Sequence, residues 1–219
     1  MFARRPSWAK GVALSPFVRT RCAGSQILLT FDDGPHPEHT PAVLDRLARY
    51  DVRAAFFLVG KHVAAAPELP ARIAAAGHAL GNHTDSHARF RWRDLAGSAA
   101  DVCRCQERVP GATLFRPPFG RLTPGLWLAA RRLGLPCLNW SLDSGDWRCR
   151  TAADADACAR QVLARVRPGD VVLFHDNHEW IGRILDGVLP GLAHRTSDSG
   201  TFTNVASPGE PATSVAGVG

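Results

Sequence analysis

Two histidines four residues apart, His83 and His87, follow a short apolar run in the stretch Asn82-His83-Thr84-Asp85-Ser86-His87. On one turn of helix that spacing puts both imidazoles on one face, where both reach a single metal ion. A second cluster, Thr30-Phe31-Asp32-Asp33-Gly34-Pro35, closes another apolar run with adjacent carboxylates. Neighbouring side chains on a strand point opposite ways, but a Gly-Pro turn can swing both toward one centre. Two histidines and one aspartate make three protein ligands. That leaves coordination positions for water and substrate, as in a catalytic rather than a structural site. Zinc suits this set, and Co2+, Ni2+ and Mn2+ are alternatives. Against this stand plainer readings: a turn using Asp for local hydrogen bonds, and histidines that are only polar surface.

Three more polar clusters close apolar runs. Leu173-Phe174-His175-Asp176 offers an imidazole suited to proton transfer near neutral pH. Asp143-Ser144-Gly145-Asp146-Trp147 and Arg116-Pro117-Pro118-Phe119-Gly120 follow other runs, the second with two prolines that impose a rigid extended exit. Taken singly, each reads equally as a surface loop or a capping histidine.

The elements that must position these clusters alternate. Strands are expected at 27–31, 54–59, 78–82, 113–116, 137–142 and 171–174. Helices are expected from a Thr40 cap with Pro41 at the first helical position, at 68–76, at 94–108, from a Thr123 cap to Leu133, at 152–166 and at 181–192. Such alternation implies an α/β fold, parallel strands with helices outside. The count favours a distorted (β/α) barrel of about seven parallel strands over an open sheet. The clusters then fall at strand C-terminal ends, where such barrels carry their active sites.

Residues 26–193 hold this pattern. Residues 1–25 read as an irregular segment, and 194–219, rich in Ser, Gly, Thr, Pro and Ala, as a disordered tail. The composition, 45% hydrophobic and 21% charged over 219 residues, supports one globular domain with a full core. The net charge of +6 comes from arginine, with no basic run interleaved with aromatics, so nucleic acid is not expected as a partner. Nor is an integral membrane segment, since no apolar run is long enough. The six cysteines contain no C-x-x-C pair and read as buried or incidental thiols. With no clear signal peptide, this leans toward a cytoplasmic rather than an envelope or secreted setting, and leaves compartment and oligomeric state open.

Five polar clusters at five strand ends, in this order, resemble the polysaccharide deacetylase family with the NodB-homology domain, also called carbohydrate esterase family 4. The resemblance spans about residues 26–192. It implies a NodB-like barrel and a metal-dependent hydrolase that removes N-linked acetyl groups from N-acetylglucosamine-type glycans, chitin oligomer or peptidoglycan. It implies Asp33, His83 and His87 as metal ligands and Asp32 as catalytic base, oriented by Arg116. His175 is then the catalytic acid, tuned by Asp143. Phe119 contributes its backbone N–H and a substrate contact, Trp147 walls the sugar groove, and Leu173 lines the acetyl-methyl pocket. Phe119 stands where the family usually has Tyr. No apolar final strand follows Leu192, so the barrel can remain open at its C-terminal edge. The rivals are an O-acetyl xylan esterase on the same fold, a non-catalytic carbohydrate-binding protein, and an iron oxygenase using the two-histidine, one-carboxylate set on a different framework.

Overall fold

The computed structural model describes residues 18–22 and 25–197, so what was expected of 1–17 and 198–219 lies outside the described residues. In chain order the elements are β1 (Val18–Arg19), β2 (Leu28–Asp32), α1 (His39–Arg49), β3 (Ala54–Leu58), α2 (Gly60–Ala65), α3 (Leu69–Ala75) and β4 (Ala79–Asn82). There follow α4 (Leu95–Arg108), β5 (Ala112–Phe115), α5 (Pro124–Arg132), β6 (Cys137–Leu138), β7 (Leu142–Asp143), α6 (Ala152–Arg165), β8 (Val171–His175) and α7 (Ile181–Ser197). The strands form one eight-stranded parallel sheet in the order β1-β6-β5-β4-β3-β2-β8-β7.

The central strands β2 and β3 are buried at every position, which explains their continuous apolar runs: both faces are covered. Alternation sorts the two faces. Leu29 and Phe31 face the helices, where Phe31 stacks between Phe56 at 4.9 Å and Phe174 at 5.9 Å over Val43, Leu47, Ile184 and Leu185. Leu28 joins Ala55, Phe57, Leu138 and Val171 in a smaller cluster on the concave side. Thr30 and Asp32 continue that concave row, so the pleat alone carries Asp32 to the mouth of the half-barrel. Truncating Phe31 to Ala would open the helix-side layer at a cost of about 3–5 kcal/mol.

The sheet is a half-barrel rather than a closed one. Cys137–Asp143 was expected as one strand to Leu142, but its start pairs with β1 and β5 and its end with β8. Between them Asn139 and Ser141 each donate one backbone bond, to Arg19 O at 2.8 Å and Val171 O at 3.0 Å. The ladder breaks there, and among the described residues no strand follows α7.

Several local expectations are corrected. The 1–25 segment is not wholly irregular, since Val18–Arg19 forms an edge strand against β6. The last helix reaches Ser197, beyond the expected boundary at 193. Helix α2 was missed because Gly60 reads as a strand stop. Thr40 is no N-cap: it lies buried inside α1, where its hydroxyl donates to Asp176 Oδ2. Asp94, Thr123 and Thr151 do cap their helices, accepting from Gly97, Leu126 and Asp154 N–H. All six cysteines are free thiols.

Candidate active site

Asp33 follows β2 at φ 71°, a left-handed backbone that aspartate tolerates better than most residues. Its Oδ1 lies 3.5 Å from His83 Nε2 and 3.2 Å from His87 Nε2. The ligand atoms of the three residues all fall within 4.8 Å of one another. Asp33 Oδ1 is buried and has no hydrogen-bond partner, so the oxygen aimed at the two imidazoles is unsatisfied. The edge of a tetrahedron with bonds of about 2.1 Å is about 3.4 Å, so these separations fit three ligands on one divalent ion.

The tautomer is set from behind. His83 Nδ1–H donates to Arg116 O at 2.7 Å, which turns its Nε2 toward the site. Burial, and then the neighbouring His83, push His87 down to about 4, so protons do not compete for it near neutrality. Burial also opposes charge on His83, yet Asp32 and Asp33 hold its proton on, and a dication between the ligands would displace it. Burial works against ionised Asp33 too, but His83 overrides it and keeps this carboxyl well below the usual range.

The histidine pair does not share a helical turn as its spacing suggested. Residues 83–87 form a loop in which Thr84 has φ 67° and His87 φ 53°. Thr84 Oγ1 accepts His87 N–H at 3.1 Å, and Asp101 Oδ1 of α4 accepts Asp85 and Ser86 N–H at 2.8 and 2.9 Å. Five non-glycine residues among those described have positive φ, and four of them, Asp33, Thr84, His87 and Phe119, border this site. Each costs on the order of 1–2 kcal/mol. The surrounding hydrogen bonds sustain that strain.

Arg116 runs through the concave face with its guanidinium fully buried. It donates to Asp32 Oδ1 at 2.6 Å, Thr30 Oγ1 at 2.9 Å, Leu138 O at 2.8 Å and Asn139 O at 3.2 Å, and it stacks 3.9 Å over the Phe57 ring. Burial works against its charge, and the Asp32 carboxylate counters that. Removing either partner would strand a buried charge, costing about 3–5 kcal/mol. Asp32 pairs in register with His175 across β2 and β8, and its Oδ2 lies 3.6 Å from His83 Nε2.

His175 is oriented by Asp146 and not by Asp143. Its Nδ1–H donates to Asp146 Oδ1 at 2.9 Å and its backbone N–H to Asp146 Oδ2 at 2.6 Å. Asp143 Oδ1 instead accepts Gly145 N–H at 2.8 Å. Gly145, at φ 73°, turns the chain so that Asp146 points inward. Asp143 ends β7 and Asp146 stands in the turn three residues on, and the sequence holds no signal to rank them. Burial opposes charge on both members of the pair, but their mutual bond wins: His175 is pushed up to about 9 and Asp146 is held well below the usual carboxylate range.

A cleft of about 810 Å³ joins these groups. Asp32, Asp33, His83, His87, Leu173 and His175 line it, with Phe119 and Trp147 at its rim, 39% and 49% exposed. Asp143 lines it as well. Sequence reasoning missed Arg89, stacked 4.1 Å over Phe119, Arg148, stacked 4.5 Å over Trp147, and His178, whose Nε2–H donates to Asp146 Oδ2 at 3.2 Å. Among the described residues no helix is long and apolar enough to cross a membrane.

The family model described as polysaccharide deacetylase matches residues 21–138. The chain is 38% identical over 160 residues to a chitooligosaccharide deacetylase of Bradyrhizobium sp. (strain ANU 289), covering 69% of this chain and 71% of that one. It is 34% identical over 182 residues to a peptidoglycan-N-acetylglucosamine deacetylase of Listeria monocytogenes serotype 1/2a (strain 10403S), covering 81% of this chain but only 38% of that relative. Among solved structures it resembles a peptidoglycan N-acetylglucosamine deacetylase in complex with 4-naphthalen-1-yl-N-oxidanyl-benzamide. There the TM-score is 0.75 at 29% identity, covering 82% of this chain and 87% of that one.

Proposed function

We propose that this chain, which belongs to the polysaccharide deacetylase family, hydrolyses the acetamide of an N-acetylglucosamine-type glycan, releasing acetate and leaving a free amine on the sugar. The observation that carries the reading is one cleft holding the Asp33-His83-His87 set, its Asp33 Oδ1 unsatisfied, together with a carboxylate, Asp32, and an imidazole, His175. Asp33, His83 and His87 would hold a divalent ion, zinc by the nature of the ligands, which when bound would acidify a water and polarise the acetamide carbonyl.

The chain's own residues supply the proton chemistry. Asp32 takes a proton from the attacking water, and Arg116 fixes its orientation. His175, held by Asp146, gives a proton to the departing nitrogen, which without it is a poor leaving group. The Phe119 N–H serves the developing oxyanion. Leu173 accommodates the acetyl methyl and Trp147 stacks on the sugar. Loss of the tyrosine hydroxyl at position 119 leaves that backbone donor in place.

The test is acetate release by metal-loaded protein from N-acetylglucosamine oligomers, peptidoglycan and acetylated xylan, with and without a chelator. The reading predicts chelator-sensitive release from one or both N-acetylated glycans. Release from xylan alone would make the chain an O-acetyl esterase. Binding without release in any of them would support a carbohydrate-binding protein.

A further inference from the structure

Asp146 is fully buried and accepts four hydrogen bonds. Oδ1 takes His175 Nδ1–H at 2.9 Å and Trp147 N–H at 2.9 Å, and Oδ2 takes His175 N–H at 2.6 Å and His178 Nε2–H at 3.2 Å. A carboxylate offers about four lone-pair sites, so the set is full, and the last one is filled by an imidazole that itself lines the cleft. His178 lies in the stretch between β8 and α7, three residues after His175.

We propose that His178 is a positioning residue for the proton-transfer step: by sharing Asp146 with His175, it sets how firmly that carboxylate grips the catalytic imidazole. A donor on Oδ2 draws on the negative charge that otherwise acts on His175 alone. The grip on the His175 proton loosens, and the imidazole becomes a readier acid. The groups facing His178 are Asp146 from the 146–148 turn and His39 of α1, which senses His178 and Glu179. Those facing His175 are Asp146, together with Asp32 and Asp33 at the end of β2 and the adjoining Asp176. The catalytic half of this inference rests on the deacetylase reading, whereas the hydrogen-bonding half does not.

The experiment compares His178→Phe, which keeps a ring but deletes the donor, with His178→Gln, which retains an N–H; His178→Ala replaces the Phe variant if that one does not fold. Deletion of the donor lowers kcat about tenfold and moves the alkaline limb of the kcat–pH profile up by about half a unit or more, and Gln recovers most of both. In parallel, NMR of ring-labelled histidine in the zinc-loaded protein follows His175 directly. Its titration moves up without the donor and returns toward wild type with Gln. A His175 titration unmoved by donor deletion overturns the inference, as does a Gln variant displaced as far as Phe. If wild type releases no acetate from any glycan, the deacetylase reading fails, and the NMR comparison still decides the role of His178.

Discussion

The His175 imidazole donates Nδ1–H to Asp146 Oδ1 at 2.9 Å, while Asp143, three residues earlier, spends its Oδ1 on Gly145 N–H at 2.8 Å. The two aspartates therefore differ in what their loss removes. Asp146→Asn replaces an anion with an amide that can present a donor to the ring, so kcat should fall by about 10²–10⁴. Asp143→Asn retains an oxygen for Gly145 and should cost less than about tenfold. Steady-state kinetics on an N-acetylated oligosaccharide distinguish them, and equal losses would return the role to Asp143.

His83→Ala and His87→Ala each remove one of the three proposed ligands. Both should lose bound metal after dialysis and lose activity by at least about a thousandfold. Metal content by mass spectrometry, measured on the same samples as acetate release, checks this. Full metal content in either variant would contradict the ligand set.

Asp32→Asn separates base from ligand. Asp32 Oδ1 belongs to Arg116 at 2.6 Å, and its Oδ2 stands 3.6 Å from His83 Nε2. Metal content should stay near wild type while kcat falls by about 10²–10⁴. Arg116 then faces a neutral amide in a buried site, so thermal unfolding should also occur at a lower temperature.

The His175–Asp146 pair makes metal-free stability depend on pH. His175 is pushed up to about 9, burial opposing and Asp146 prevailing, whereas in the unfolded chain it titrates near 6.5. Between these values the folded state binds more protons than the unfolded one. The contribution of His175 is thus full below about pH 6.5 and is lost as pH rises through about 9. Denaturant midpoints of chelated protein should fall across that window, and His175→Gln should flatten the fall. A bound dication moves His175 down and shifts the window with it.

The helix-side core was legible because Leu29, Phe31, Phe56 and Phe174 sit in apolar runs that only a doubly covered parallel strand requires. The clustering of Asp33, His83 and His87 as a candidate metal site was legible through residue type, since few other patterns place two histidines and an aspartate at strand ends. The geometry behind them was not. The loop at 83–87 reaches its ligand arrangement through positive φ at Thr84 and His87, where neither is glycine and local propensity gives no warning. The Asp146 assignment depends on a left-handed Gly145 and on β8 lying beside β7, both tertiary facts. Strand β1 is two residues long and exists only because β6 offers it a partner.

The most direct measurement is anomalous diffraction at the zinc edge from crystals of zinc-loaded protein. The account predicts one strong peak bonded to Asp33 Oδ1, His83 Nε2 and His87 Nε2 at about 2.0–2.2 Å. A peak held by other residues, or an empty space among these three in protein that carries stoichiometric zinc in solution, would contradict it.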